Sequence, residues 1–116
     1  MAKFLPAVLA SCIVAFAAPA LADSNDQDCK IGPISKTYGG SPWLVYGCND
    51  GHSVIVITAP GSPASPFLFA FHWEADGYHL SGVGTGNKKL TDAAFADLKV
   101  LSGADIEALF AAARSH

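Results

Sequence analysis

The sequence predicts an α+β domain: an antiparallel β-sheet meander of four to five strands with two C-terminal helices packed on one face. Two observations predict this class. Segments rich in β-branched and aromatic residues alternate with Asp-Gly and Pro-Gly turn signals between residues 31 and 85. Apolar residues at helical spacing then follow from residue 90 to residue 113.

The first residues have the features of a secretory signal peptide. A positive start at Lys3 precedes a short apolar run, which ends in an A-x-A cleavage signature at residues 20–22. The run is short and interrupted by prolines, which favours cleavage over a membrane anchor. The sequence therefore predicts a cleaved peptide over residues 1–22, a flexible leader over 23–28 and one small domain over 23–116. This domain is expected in the periplasm or outside the cell, with no transmembrane segment.

The charge balance limits the partners. The chain has 7 Lys and Arg against 10 Asp and Glu, a net charge of −3, and loss of Lys3 with the signal peptide makes it more negative. Nucleic acids and anionic membranes are bound by basic patches, and Lys88-Lys89 is the single basic pair. We therefore expect no nucleic-acid partner; composition does not predict the oligomeric state.

Two cysteines remain after cleavage. Cys12 lies within the predicted signal peptide, which leaves Cys29 and Cys48 in an oxidising compartment. We predict that they form a disulfide, with a metal-binding pair or free thiols as the alternatives.

The first predicted strands are an edge strand and a hairpin with a tight turn. Ile31–Tyr38 contains Gly32-Pro33 and is predicted as an irregular or edge strand. The hairpin that follows turns at Asp50-Gly51, which places Tyr46 opposite Ile55. Both faces of this hairpin are apolar, so both are expected to be covered.

A second hairpin follows a proline-rich loop over residues 59–66. Phe67–Glu74 alternates aromatic residues with other residue types, as a strand with one core face does. If Asp76-Gly77 form a two-residue turn, the returning strand over residues 78–85 places His79 opposite Glu74.

Two helices are predicted at the C-terminus. Thr91 is a suitable N-cap for a helix over Asp92–Val100. Ser102 and Asp105 resemble a capping box for a second helix. Its apolar stripe consists of Ile106, Leu109, Phe110 and Ala113.

The strongest chemical constellation in the sequence is His72, Glu74 and His79. The predicted register places all three on one face of one hairpin, and two imidazoles with a carboxylate are a zinc ligand set. The alternative is an ordinary Glu-His pair on a solvated sheet face, because such cross-strand pairs are common.

No catalytic set appears in the sequence. A serine or cysteine nucleophile requires a base and an orienting group within reach. Both remaining cysteines are assigned to a disulfide, and Ser53 and Ser81 lie within predicted strands. We predict that the chain is not an enzyme.

Two short motifs resemble those of the periplasmic lysozyme inhibitors. Tyr46-Gly47-Cys48-Asn49-Asp50-Gly51 resembles their hairpin, and Ser81-Gly82-Val83-Gly84 resembles their glycine-serine loop. The resemblance covers about a third of the chain after residue 22, and the two predicted C-terminal helices depart from that all-β family. It implies binding to a lysozyme.

These observations favour a small exported, disulfide-stabilised domain that acts by binding a protein or a cell-envelope component. A partly exposed aromatic face is the expected binding feature. The alternatives are a periplasmic metal-binding protein, with zinc held by His72, Glu74 and His79, and a lysozyme-inhibitor-like protein.

Overall fold

A computed structural model describes residues 28–116; the predicted signal peptide, Cys12 and the leader up to residue 27 lie outside the described residues. Five strands form one antiparallel sheet in which each strand pairs with the next along the chain, and two helices follow. The strands are Ile31–Tyr38 (β1), Ser41–Gly47 (β2), Val54–Thr58 (β3), Phe67–Glu74 (β4) and Gly77–Gly84 (β5), and the helices are Lys88–Leu98 (α1) and Gly103–Arg114 (α2). The predicted α+β class and meander order are confirmed.

The β2–β3 hairpin has the predicted register. Tyr46 pairs with Ile55, and Leu44 pairs with Ile57. One face of the sheet, the helix face, carries the two helices and the core, whereas the opposite, open face leaves these four side chains half-buried. The helices cover one face only, so the expectation that both faces are covered stays a prediction for the open face. The helix-face side chains of this hairpin are fully buried: Trp43, Val45, Val54 and Val56.

The predicted disulfide is confirmed. Cys29 and Cys48 are joined by an S–S bond of 2.02 Å. The bond ties the chain just before β1 to the end of β2, so it closes a loop that contains both strands. Such a closure restricts the unfolded chain and contributes about 3 kcal/mol to stability in the chain-entropy model.

The predicted register of the β4–β5 hairpin is wrong by two residues. Ala75 and Asp76 form the turn, so Glu74 pairs with Gly77 and His72 pairs with His79. The glycine of the Asp-Gly signal follows the turn instead of forming it: Gly77 has a φ of +119° and pairs with Glu74 as the first residue of β5. A shift of two residues keeps every side chain on its predicted face.

The first helix begins one turn earlier than predicted. Asn87 is its N-cap, and the Asn87 side chain accepts a hydrogen bond from the Leu90 N–H at 3.2 Å. Thr91 is buried inside the helix, where its hydroxyl donates to the Lys88 carbonyl. The prediction of Thr91 as the cap is therefore wrong, because Asn87 is an equally good cap. The Ser102 and Asp105 capping box of α2 is confirmed.

Both helices are anchored on the β1–β2 side of the sheet. The Phe110 ring of α2 lies against Gly47, where a Cβ atom would come within 2.8 Å of the ring. The Asp97 carboxylate of α1 accepts a hydrogen bond from the Gly39 N–H at 2.7 Å. Helix α2 consequently packs mainly on β1 and β2, and α1 packs mainly on β1. The helix face is less covered at β4 and β5.

Replacing Phe110 by alanine is expected to lower the free energy of unfolding by about 3–5 kcal/mol, because a buried ring is lost against Gly47. Urea unfolding followed by circular dichroism measures the loss. Phe95→Ala is the matched control: its ring is 42% exposed, so the same substitution should cost about 1 kcal/mol. Equal losses would contradict this account of the core.

Candidate functional site

The tip of the β4–β5 hairpin brings together two of the three predicted metal ligands. The Nε2 atom of His79 lies 3.7 Å from the Oε1 atom of Glu74, and both side chains are at least half exposed. His72 pairs with His79 in the ladder, but its imidazole is not among the ligand atoms that converge here.

Asp76 supplies the third converging group. Its Oδ1 atom lies 2.7 Å from the Nε2 atom of His79. The ligand atoms of Glu74, Asp76 and His79 all lie within 4.8 Å of one another, and we call these three residues the hairpin-tip group. The sequence predicts only a turn position for Asp76. Its place three residues before His79 is the signal that could have identified it as the third converging group.

The carboxylates favour the protonated form of His79. The hydrogen bond to Asp76 is the largest influence, followed by the charges of Asp76 and Glu74, and together they raise the pKa of His79 above its ordinary value. The same hydrogen bond and the charge of His79 lower the pKa of Asp76. The group thus favours a positive species at this position: a proton on His79, or a divalent cation, which would use the same atoms.

A second feature, the aromatic cleft, lies between the uncovered end of the helix face and the helices. It has a volume of about 400 Å³. Trp73 and Phe95 stand at its opening, with 40% and 42% of their surfaces exposed. The sheet contributes Phe71, Trp73, Gly77, Tyr78 and Leu80, and the helices with their connection contribute Phe95, Leu98, Lys99, Leu101, Gly103, Ile106 and Glu107.

The two tryptophans of the chain differ in how their indole N–H groups are used. Trp43 is fully buried, and its Nε1 atom donates to the Tyr38 carbonyl at 3.1 Å. Trp73 is exposed, and its Nε1 atom makes no hydrogen bond to any residue of the described chain. Buried indole N–H groups usually have a partner. The Trp73 indole N–H, by contrast, is available to an acceptor from outside the described residues.

The β2–β3 turn fixes the position of Trp73. The Ser53 hydroxyl donates to the Asp50 carboxylate and accepts from the Trp73 backbone N–H at 2.9 Å. Burial opposes ionisation of Asp50, but hydrogen bonds from Ser53 and His52 outweigh it and lower the pKa of this carboxyl. The Asp50 carboxylate thus serves as the acceptor of hydrogen bonds from His52 and Ser53.

Aromatic contacts complete this support. The His52 ring stacks on Trp73 at a centroid distance of 4.6 Å, and Tyr78 meets Trp73 edge-on at 4.9 Å. The Tyr78 hydroxyl in turn donates to the His52 carbonyl. The indole is consequently held in place before any partner arrives.

Two opposite charges flank the cleft. Lys99 lies over the Phe95 ring, 5.7 Å from its centroid. Glu107 lies on the other helix, where its charge adds to the effect of burial in raising the pKa of Tyr78. Neither charge forms a salt bridge with another described residue. An apolar cleft with a few polar groups is the usual form of a binding pocket.

The motifs that resemble the lysozyme inhibitors lie apart in the sheet. Tyr46 is on β2, and residues 81–84 form the end of β5. Two strands separate them, which corresponds to about 14 Å. The glycine-serine segment is a strand here, so the expected loop is absent at that position.

Comparisons with family models, with curated proteins and with solved structures find no match. The fold and the disulfide define the class: a small, disulfide-stabilised α+β domain. Neither helix within residues 28–116 has the length and apolar content needed to cross a bilayer.

Replacing Asp76 by asparagine should return the pKa of His79 toward its ordinary value, because the main hydrogen bond and charge are weakened. Glu74→Gln should have a smaller effect in the same direction. An NMR pH titration of the His79 ring measures both. Because the folded-state pKa is raised, protonated His79 stabilises the fold at low pH, and this contribution disappears as the pH rises through the raised pKa.

Asp92→Asn is the control for this titration, because Asp92 pairs with Lys88 on α1 and should not affect His79. An unchanged His79 titration in Asp76→Asn would contradict the geometry of the hairpin-tip group.

Proposed function

We propose that this chain is an exported binding domain whose aromatic cleft holds a large apolar side chain of a protein partner. The observation that carries the proposal is the exposure of Trp73 and Phe95 around a preformed cleft. Tryptophan and tyrosine are enriched among the residues that dominate binding energy at interfaces. A partner side chain that covers the exposed rings of Trp73 and Phe95 would bury them together in one small contact area.

The polar groups around the cleft favour a polypeptide as the partner. The free indole N–H of Trp73 matches a peptide carbonyl, and the two charges of Lys99 and Glu107 match a segment with charges of both signs. The cleft volume of about 400 Å³ lies at the low end of ligand pockets, which suits one side chain better than an extended ligand. The net charge of −3 disfavours a polyanion.

Export is supported by the sequence features of residues 1–22 and is consistent with the disulfide between Cys29 and Cys48. A domain stabilised in this way suits an oxidising compartment. The lysozyme-inhibitor-like version of the interaction remains a prediction of the sequence motifs.

A photo-crosslinking amino acid in place of Phe95, in the cells that make this protein, should capture one polypeptide through the cleft. The captured polypeptide is then identified by mass spectrometry, purified, and titrated against the unmodified protein by calorimetry. Phe95→Ala should weaken that binding by about 30-fold, since truncating a central aromatic residue typically costs about 2 kcal/mol or more.

The same crosslinker at Lys30 is the control, because the Lys30 side chain is 85% exposed and lies beside β1, at the edge of the sheet opposite β5. A product that forms equally well from both positions, or a purified partner whose affinity is unchanged by Phe95→Ala, would overturn the proposal.

A second candidate function is metal binding, and the convergence of Glu74, Asp76 and His79 favours it. Zinc is commonly held by imidazole and carboxylate ligands. The set differs from the one predicted from the sequence, because Asp76 takes the place of His72.

Titration with zinc chloride by calorimetry separates the two ligand sets. If the hairpin-tip group binds zinc, Asp76→Ala and His79→Ala should each lower the affinity by about tenfold or more, whereas His72→Ala should not. Affinity should also fall at low pH, because His79 must lose its proton to bind the metal. Loss of binding in His72→Ala and His79→Ala but not in Asp76→Ala would support the sequence-predicted set instead, and the absence of heat in the unmodified protein would exclude both.

A further inference from the structure

The two edges of the sheet are protected very differently. The β1 edge contains Pro33, has an irregularity in its pairing between Ile31 and Ile34, carries Lys36 and is in contact with α2. Prolines, bulges, lysines and covering helices are the devices by which proteins prevent strand addition. The β1 edge is therefore guarded.

The β5 edge has none of these devices within the described chain. Its sequence contains no proline and no lysine, and its pairing with β4 is unbroken from Gly77 to Gly84. The helices lie mainly over β1 to β3. Five of its residues are exposed, His79 and Ser81–Gly84, and the side chain of Val83 is 69% exposed. An edge strand of this kind presents unpaired backbone N–H and C=O groups.

We propose that β5 pairs with β5 of a second copy of this chain in an antiparallel arrangement, so that two five-stranded sheets form one continuous sheet. A two-fold axis perpendicular to the sheet produces this pairing and keeps the helices of both copies on the same side. If Leu80 or Ser81 lies at the two-fold axis, nearly the whole of β5 takes part in the pairing. This position of the axis also keeps the two copies of His79, the histidine of the strand, from facing each other.

The difference between the edges explains why the occupant is a second copy. Each copy offers one open edge, and the dimer uses both of them. The edges that remain are the two guarded β1 edges, so the assembly closes at two copies and does not grow into a fibre.

The open face supports the same partner. Its half-buried apolar side chains extend to Leu68 on β4, which pairs with the exposed Val83 of β5. In the dimer the two apolar open faces become continuous, and Val83 lies at the junction. A charged residue at position 83 would therefore lie within the contact between the two copies.

Sedimentation velocity over a concentration series, on the oxidised protein without its signal peptide, tests the proposal. The unmodified protein should show a reversible monomer–dimer equilibrium. Val83→Lys and, independently, Ser81→Lys should raise the dimer dissociation constant by about tenfold or more, because edge lysines oppose strand pairing. Circular dichroism confirms that each variant remains folded.

Val100→Lys is the matched control, because Val100 is 73% exposed and lies in the connection between the helices. Its dissociation constant should be unchanged. A monomer at every concentration would overturn the proposal, and so would a dimer that both β5 variants leave intact or that Val100→Lys weakens as much as they do.

Discussion

The position of the helix pair is the constraint on which the rest of the structure depends. Phe110 fits against Gly47 because this position of β2 has no side chain. Asp97 binds the backbone of the β1–β2 turn at Gly39, whose φ of +59° suits glycine. With both anchors on one side of the sheet, the helices cannot also cover β4 and β5. The aromatic cleft and the uncovered β5 edge both result from this position of the helices on one side of the sheet.

The uncovered end of the sheet is nevertheless rigidly built. Asp50, Ser53 and the backbone of Trp73 form a hydrogen-bonded chain that joins two hairpins. An aromatic side chain that is already ordered loses less conformational entropy when a partner binds. The uncovered aromatic residues are thus supported in place and are not a loosely packed part of the core.

Local signals in the sequence predicted the local structure well. Asp50-Gly51 set the register of β2 and β3, and Ser102 with Asp105 set the start of α2. Errors arose where two local solutions compete: Asn87 and Thr91 are both good caps, and the Asp76-Gly77 signal is compatible with a turn at residues 75–76 as well as at 76–77. The prediction of the site likewise succeeded where the signal was local and failed elsewhere. Glu74 and His79 do converge, but Asp76 was missed, and the cleft depends on helix positions that no local pattern contains.

The contrast between Trp43 and Trp73 has a spectroscopic consequence. One indole is enclosed in the core, and the other is exposed to water and stacked with His52. Their fluorescence should therefore differ in wavelength and in accessibility to quenchers such as iodide. A single emission spectrum of the natural protein can report the integrity of the core and the surroundings of the cleft separately, without any added label.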